Sequence, residues 1–466
     1  MEAEKNRALW DAIEDNSGMD NVLHWLARGA NPCSKNQGKT AIIHAVQLRR
    51  SDLVGVLVQA VSQFRAANPG HFCDVDATDS YGRSPLHYAA EAGQADTVSV
   101  LISAGCDVDR TDHEGVTALH FCCSAGSEST LWALLQAGAK VNVAAHTCYQ
   151  KVSPLHVAVS RNFPSLVVAL LEAGAKIDVR DYKDQTPLFL AVSRGNIDLV
   201  NILLAYGANV NHMQLNGYSA LSESINNRQP EMVGLLLSNG AKGSHSQYLL
   251  HSAILKSEEI ALQLIKHGYS VTLRDDSGST PLHLACRQGS VKVLKAIVCS
   301  AKDVGFILDP NELNTLNSLT PLMEAVRSIS HDFPQKFESI LRILVPLRVD
   351  LDRFSARLGH TALSLAFQLN KFKFFHVLIA YGADINAGEG CLSEAIDAAE
   401  TVSPEIIAIL KGVAGVVEAL PLRLSFCCRV ELRSFLKLLR PFEPLPDLID
   451  LLPLPLELKA FLKFYI

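Results

Sequence analysis

One six-residue phrase limits what this chain can fold into more than any other feature. It reads Thr280-Pro281-Leu282-His283-Leu284-Ala285 in its fullest form. Close copies are Ser84-Pro85-Leu86-His87-Tyr88-Ala89, Thr117-Ala118-Leu119-His120, Ser153-Pro154-Leu155-His156-Val157-Ala158 and Thr186-Pro187-Leu188. Weaker copies begin at Thr40, Ser219, Tyr248, Thr320 and Thr361. Starts from 84 to 219 are separated by 33, 36, 33 and 33 residues, so each phrase opens one copy of a repeated supersecondary unit. A chain of 466 residues is too long for one ordinary core, and the period selects a repeat array over several unrelated domains.

The residues of the phrase explain the unit. Thr or Ser caps a helix through its hydroxyl, and Pro suits the first helical turn, where no backbone donor is needed. Leu and Ala then face the neighbouring repeat. A second helix follows, as in Leu166-Val167-Val168-Ala169-Leu170-Leu171, with apolar residues at helical spacing. It stops at Gly174-Ala175, where glycine accepts the left-handed conformation. Asp-x-x-Gly pieces, Asp79 to Gly82, Asp112 to Gly115 and Asp275 to Gly278, make a projecting turn. One such unit has an unburied flank, so its stability comes from stacking on neighbours.

Period and phrase together resemble the ankyrin family over about nine-tenths of the chain. The resemblance implies an all-α solenoid of about eleven to twelve repeats, degenerate ends included. Residues 1–39 read as a degenerate N-terminal repeat, 40–415 as the array, and 416–466 as a separate C-terminal element. Residues 391–413 look like a final helical pair without a projecting turn. Three stretches are expected to be irregular: about 59–79, about 299–318, and Ser328 to Phe337. Loops of this kind carry partner specificity or are tolerated surface insertions, and the sequence leaves both open.

Composition narrows the function. The net charge of −6 supplies no general phosphate-neutralising face, so nucleic acid is not an expected partner. The apolar stretch from Ile406 to Leu424 is broken by Lys411, Glu418 and Pro421, so no membrane span is expected. The charged N-terminus does not read as a secretory signal. Eleven cysteines without a Cys-x-x-Cys pair read as buried reduced thiols. The expected compartment is the cytoplasm, with the nucleus also open. His87, His120, His156, His251 and His283 share the fourth position of the phrase, where an imidazole serves adjoining backbone groups, so a structural role is expected. No metalloprotease helix, phosphate-cradling loop or nucleophile elbow occurs. The chain is therefore expected to be no enzyme and to need no cofactor or metal.

After Glu418 the rhythm ends and proline becomes frequent: Pro421, Pro441, Pro444, Pro446, Pro453 and Pro455. Leu422 to Arg440 should be a helix. On it Leu424, Cys428, Leu432 and Leu436 form one stripe, beside a basic stripe of Arg429, Arg433, Lys437 and Arg440. Cys427, Val430 and Leu438 form a second apolar group, so the helix wants two neighbours. Leu424-x-x-x-Cys428-x-x-x-Leu432 resembles the Elongin B/C-binding box of the suppressor-of-cytokine-signalling (SOCS) family. Arg423 stands where that family usually has a small residue. Some twenty residues on, Leu452-Pro453-Leu454-Pro455 is similar to the family's Leu-Pro-apolar-Pro motif, which implies Cullin-5.

The resemblance implies that Leu424, Cys428 and Leu432 dock on Elongin C and that Leu452, Pro453, Leu454 and Pro455 meet Cullin-5. Burying one such Leu contributes on the order of 2 kcal/mol. The extended Pro-rich segment loses little ordering entropy when it docks. The chain would be an ankyrin repeat and SOCS box protein, with Elongin B/C, Cullin-5, its RING partner and an unidentified protein substrate as partners. The alternative is a ligase-independent ankyrin adaptor whose C-terminal helix only caps the solenoid.

Overall fold

A computed structural model describes residues 2–15, 19–68, 74–147, 150–243, 248–384 and 387. Its described residues divide into two compact units, those within 1–227 and 234–243, and those within 228–233 and from 244 onward.

In the first unit the helices come in pairs. They are α1 (Glu2–Glu14) and α2 (Met19–Ala27), α3 (Ala41–Gln47) and α4 (Ser51–Ala67), α5 (Pro85–Glu91) and α6 (Ala95–Ser103). Next come α7 (Ala118–Ala125) and α8 (Glu128–Gln136), α9 (Pro154–Ser160) and α10 (Pro164–Glu172), and α11 (Pro187–Ser193) and α12 (Ile197–Ala205). α13 (Ala220–Asn226) belongs to this unit, and α14 (Pro230–Ser238) is split between the two. The odd-numbered helices α1 to α13 pack side by side in one layer, and α2 to α12 form the second layer.

The second unit repeats this layering. Its pairs are α15 (Leu249–Lys256) with α16 (Glu258–Lys266) and α17 (Pro281–Gln288) with α18 (Val291–Asp303). They are followed by α19 (Pro321–Ser328) with α20 (Pro334–Leu344), and α21 (Ala362–Gln368) with α22 (Phe372–Ala380). Each odd-numbered helix again lies on the next odd one, and each even-numbered helix on the next even one. Ten pairs lie within the two units among the described residues, with α13 and α14 besides; the expected final pair over 391–413 lies outside the described residues.

The caps form as the phrase implies. Ser153 Oγ accepts the His156 N–H at 3.4 Å and Thr186 Oγ1 the Phe189 N–H at 3.3 Å, each beside a proline in the first turn. The phrase leucines Leu86, Leu119, Leu155, Leu188 and Leu282 are buried between layers. Each loses its apolar surface to water only because a neighbouring pair is present, so cohesion lies in nearest-neighbour stacking.

Three expectations need correction. The fold is not purely helical: β1 (Lys35–Asn36) pairs with β2 (Lys39–Thr40), and β3 (Ala145–Thr147) with β4 (Gln150–Val152), both antiparallel. The β3–β4 hairpin takes up the extra length of the one 36-residue interval. The irregular stretches are also shorter than expected. α4 continues to Ala67 because Leu57, Val58 and Val61 keep burying one face, and α18 continues to Asp303 with Ala301 buried. α20 already starts at Pro334. Finally, Cys33 is disulfide-bonded, whereas Cys106, Cys122, Cys123 and Cys286 are free and buried and Cys299 is free and exposed.

Candidate interaction surface

The surface is shaped first by the phrase histidines. In each of four repeats Nδ1 accepts the N–H of the capping residue: Ser84 to His87 at 3.0 Å, Thr117 to His120 at 3.2 Å, Ser153 to His156 at 3.3 Å, and Thr280 to His283 at 3.2 Å. Nε2 must then carry the proton, and it donates to a carbonyl of the following repeat. His87 reaches Val116 O, His120 reaches Val152 O and His156 reaches Gln185 O, all at 3.1 Å, while His283 reaches Leu319 O at 3.2 Å. His251 Nε2 meets Ser279 O at 3.0 Å. The imidazole thus ties a helix start to the next projecting turn. Burial holds these rings neutral, pushing His120 and His283 down to about 4. The imidazoles thus play the structural role expected of the fourth position.

The turns are built by their first residue. Asp79 Oδ1 accepts the N–H groups of Tyr81 and Arg83, both at 2.9 Å, and Asp275 Oδ1 accepts those of Ser277 at 2.9 Å and Ser279 at 2.8 Å. The glycine three residues on is required twice over. Gly82 has φ +79°, and a Cβ there would lie 2.9 Å from the His113 backbone nitrogen; Gly278 has φ +71°, with the Thr315 nitrogen at 2.7 Å. Those nitrogens donate across to Tyr81 O and Ser277 O at 3.1 and 3.0 Å. Adjacent turns are therefore laced together, and their tips project. Tyr81 is 69% and Leu215 is 80% exposed, and Tyr182, Tyr218, Leu316 and Leu358 are also exposed.

Below the tips runs the outer stripe of the first helices. At the residue after the fourth position of the phrase, Tyr88, Phe121, Val157, Leu190 and Glu223 are half-buried in the first unit. The corresponding Leu284, Glu324 and Leu365 are buried in the second. Near the start of this stripe Tyr88 donates to Asp79 Oδ2 at 2.6 Å, and burial with that carboxylate pushes its hydroxyl up to about 12. Arg83 lies 4.6 Å over the Phe121 ring, with Asp112 Oδ2 at 3.7 Å. These contacts hold the side chains in place, and an ordered aromatic surface suits macromolecular docking.

A second feature lies in the stretch after α18. Val304 and Ile307 are 81% and 90% exposed, and Phe306 is half so. Phe306 and Ile307 border an open cleft of about 420 Å³ beside Val271, Leu282 and the Arg274–Glu312 ion pair. The stretch lies within the expected irregular region of about 299–318, and its apolar tip has no signal in the repeat pattern.

Among the described residues no group of three His, Cys, Asp or Glu side chains is placed to hold a metal, and no helix is long and apolar enough to cross a membrane. Burial pushes the Cys122 thiol up to about 12 and the Cys123 and Cys286 thiols up as well, which suppresses thiolate nucleophiles there. Leu424, Cys428, Leu432 and Leu452 to Pro455, with the expected helix over 422–440 and the pair over 391–413, lie outside the described residues.

A family model described as "Ankyrin repeats (3 copies)" matches residues 9–112, 66–145, 105–181, 155–247 and 242–306, together more than half of the chain. The chain is similar to the NF-kappa-B inhibitor alpha of Sus scrofa, 33% identical over 143 residues, covering 30% of this chain and 32% of that protein. It is likewise similar to the B-cell lymphoma 3 protein homolog of Mus musculus, 35% identical over 139 residues, covering 30% and 29% respectively. The match thus spans about a third of the length of these relatives. Among solved structures, the ankyrin repeat domain of human ASB11 matches with 30% identity over 47% of this chain and 98% of that one, at a TM-score of 0.40.

Proposed function

The chain belongs to the ankyrin-repeat family, and from that premise we propose that it is the substrate-recognition subunit of an Elongin B/C–Cullin-5–RING E3 ubiquitin ligase. A protein-binding array is one half of such a device. The observation that carries the other half is a pair of motifs in order, Leu424-x-x-x-Cys428-x-x-x-Leu432 and then Leu452-Pro453-Leu454-Pro455, directly after the repeats. Either motif alone is common in amphipathic or Pro-rich sequence. Together, at this separation and behind this array, they support the SOCS-box reading.

In this reading the chain performs no bond chemistry. The array holds a protein substrate, Leu424 fills an apolar pocket on Elongin C, and Cys428 packs beside it where a larger side chain would not fit. The Pro-rich segment lies along the cullin. A RING subunit and a charged conjugating enzyme supply the transfer, and this chain contributes proximity and orientation. Affinity purification tests it. The wild-type chain should retain Elongin B, Elongin C and Cullin-5, and Leu424→Ala with Cys428→Ala should lose all three. A wild-type chain that retains none of them from a lysate containing them leaves the adaptor reading instead.

A further inference from the structure

We infer that the first-helix face over α9 and α11 is a docking strip for an acidic, aromatic or leucine-bearing peptide segment of a partner protein. This identifies the kind of substrate segment that the receptor reading requires, and it rests on that reading.

The strip follows from burial. On α9, Pro154, Leu155, His156, Ala158 and Val159 are buried, which turns Val157, Ser160 and the C-cap residue Arg161 outward along one i, i+3, i+4 stripe. On α11, Pro187, Leu188, Phe189, Ala191 and Val192 are buried, and Leu190, Ser193 and Arg194 form the matching stripe. The helices pack on one another and are tied by the His156–Gln185 bond. Their equivalent residues therefore stand about 10 Å apart. Arg161 and Arg194 make a basic edge at the C-terminal ends. Lys151 on β4 and Lys183 on the next turn make a second basic edge at the N-terminal ends. All four cations are exposed. Between the edges lies a half-buried floor of Val157 and Leu190.

Two nearby acids offset part of the strip's charge, Asp181 acting on the Lys183 ammonium, but the four cations outnumber them. Asp181 Oδ1 is occupied by the Lys183 and Gln185 N–H groups at 2.8 Å, and Asp184 pairs with Arg180 at 3.4 Å and His212 at 3.1 Å. Among the described residues, Arg161, Lys183 and Arg194 have no carboxylate partner in an ion pair. Lys183 instead lies 5.3 Å over the Tyr182 ring. Four exposed cations gathered over two repeats contrast with a chain of net charge −6. Exposed Tyr182, Leu215 and Tyr218 beside them provide apolar contact. Glu114 on the preceding side and Glu223 on the following side bound the strip. Two repeats at about 10 Å each accommodate about six extended residues. That length, with acidic flanks, suits a short peptide better than a nucleic-acid backbone.

The test uses the full-length chain and fluorescence anisotropy with a labelled peptide of about twelve residues alternating Glu with Leu and Tyr. Its counterparts are the same peptide with Lys for Glu and a single-stranded oligonucleotide of equal charge. The acidic peptide should bind more tightly than either, with affinity falling as salt rises. Arg161→Glu with Arg194→Glu should weaken it at least about tenfold, while Lys266→Glu on α16 changes it less than about twofold. If thermal melting shows the reversed pair unfolded, Arg161→Gln with Arg194→Gln serves, with at least about threefold weakening expected. Equal binding of acidic and basic peptides, tighter binding of the oligonucleotide, or indifference to both Arg variants would overturn the inference. Retention of Elongin B/C by the folded Arg variants separates the two readings. If the strip fails while Elongin capture persists, only the strip is lost. If the wild type never captures Elongin, the receptor reading fails whatever the peptide does.

Discussion

His283 concentrates the chemistry of the repeat in one side chain. It is fully buried, accepts one backbone N–H and donates to the carbonyls of Leu319 at 3.2 Å and Glu312 at 3.0 Å. His283→Ala leaves these groups without partners inside the stack, so denaturant unfolding should show a loss of about 2–3 kcal/mol. The same geometry sets a pH dependence. The folded pKa of His120 and His283 lies at about 4, below the unfolded value near 6.5. Their contribution is complete above about pH 6.5 and declines as pH falls toward about 4, by roughly 1.4 kcal/mol per unit for each ring. Urea midpoints measured between pH 7 and pH 4.5 should fall, and fall less in His283→Ala. This role was legible in the sequence because five histidines share one place in the phrase. The partner carbonyls were not, since each belongs to the following repeat. Nor was the stacking of Arg83 on Phe121, which joins side chains from consecutive repeats.

Among the elements, the projecting turn is the most constrained. Gly82 is left-handed and sits against the His113 nitrogen, whereas Gly105 is left-handed, at φ +86°, with nothing nearby. Gly105→Ala should cost about 1 kcal/mol from backbone conformation alone, and Gly82→Ala at least about 2 kcal/mol, because the turn must also shift away from its neighbour. Thermal melting of the two variants checks that order, and equal melting points would contradict the close approach. The Asp-x-x-Gly spelling made these turns readable from sequence. Helix lengths were less so. The continuation of α4 to Ala67 and of α18 to Asp303 depends on burial of Val61 and Ala301 by neighbouring helices, a tertiary effect that overrides local pattern. The apolar tip after α18 stabilises little in the isolated chain, since Ile307 is 90% exposed. Ile307→Ser should leave the melting point within about 1 °C of wild type, because surface changes without buried partners are nearly neutral.

For the whole molecule, the proposed function rests on helical pairs stacked within each unit and, later in the sequence, a proposed recruiting element. The family was readable from the phrase and its period, and it is matched over residues 9–306. The helical pairs α19 with α20 and α21 with α22 extend the same packing past that range. Leu424 to Leu432 and Leu452 to Pro455 were legible only as motifs, because their proposed partners are other proteins and nothing in the repeat pattern determines what they meet. Reconstitution from purified components addresses that claim most directly. The full-length chain mixed with Elongin B/C should elute as one complex on size exclusion, and addition of Cullin-5 should shift it further. Replacing Leu452 to Pro455 with alanines should abolish the second shift and keep the first. An unaltered chain that elutes apart from Elongin B/C, at concentrations where all components are folded, would contradict the account.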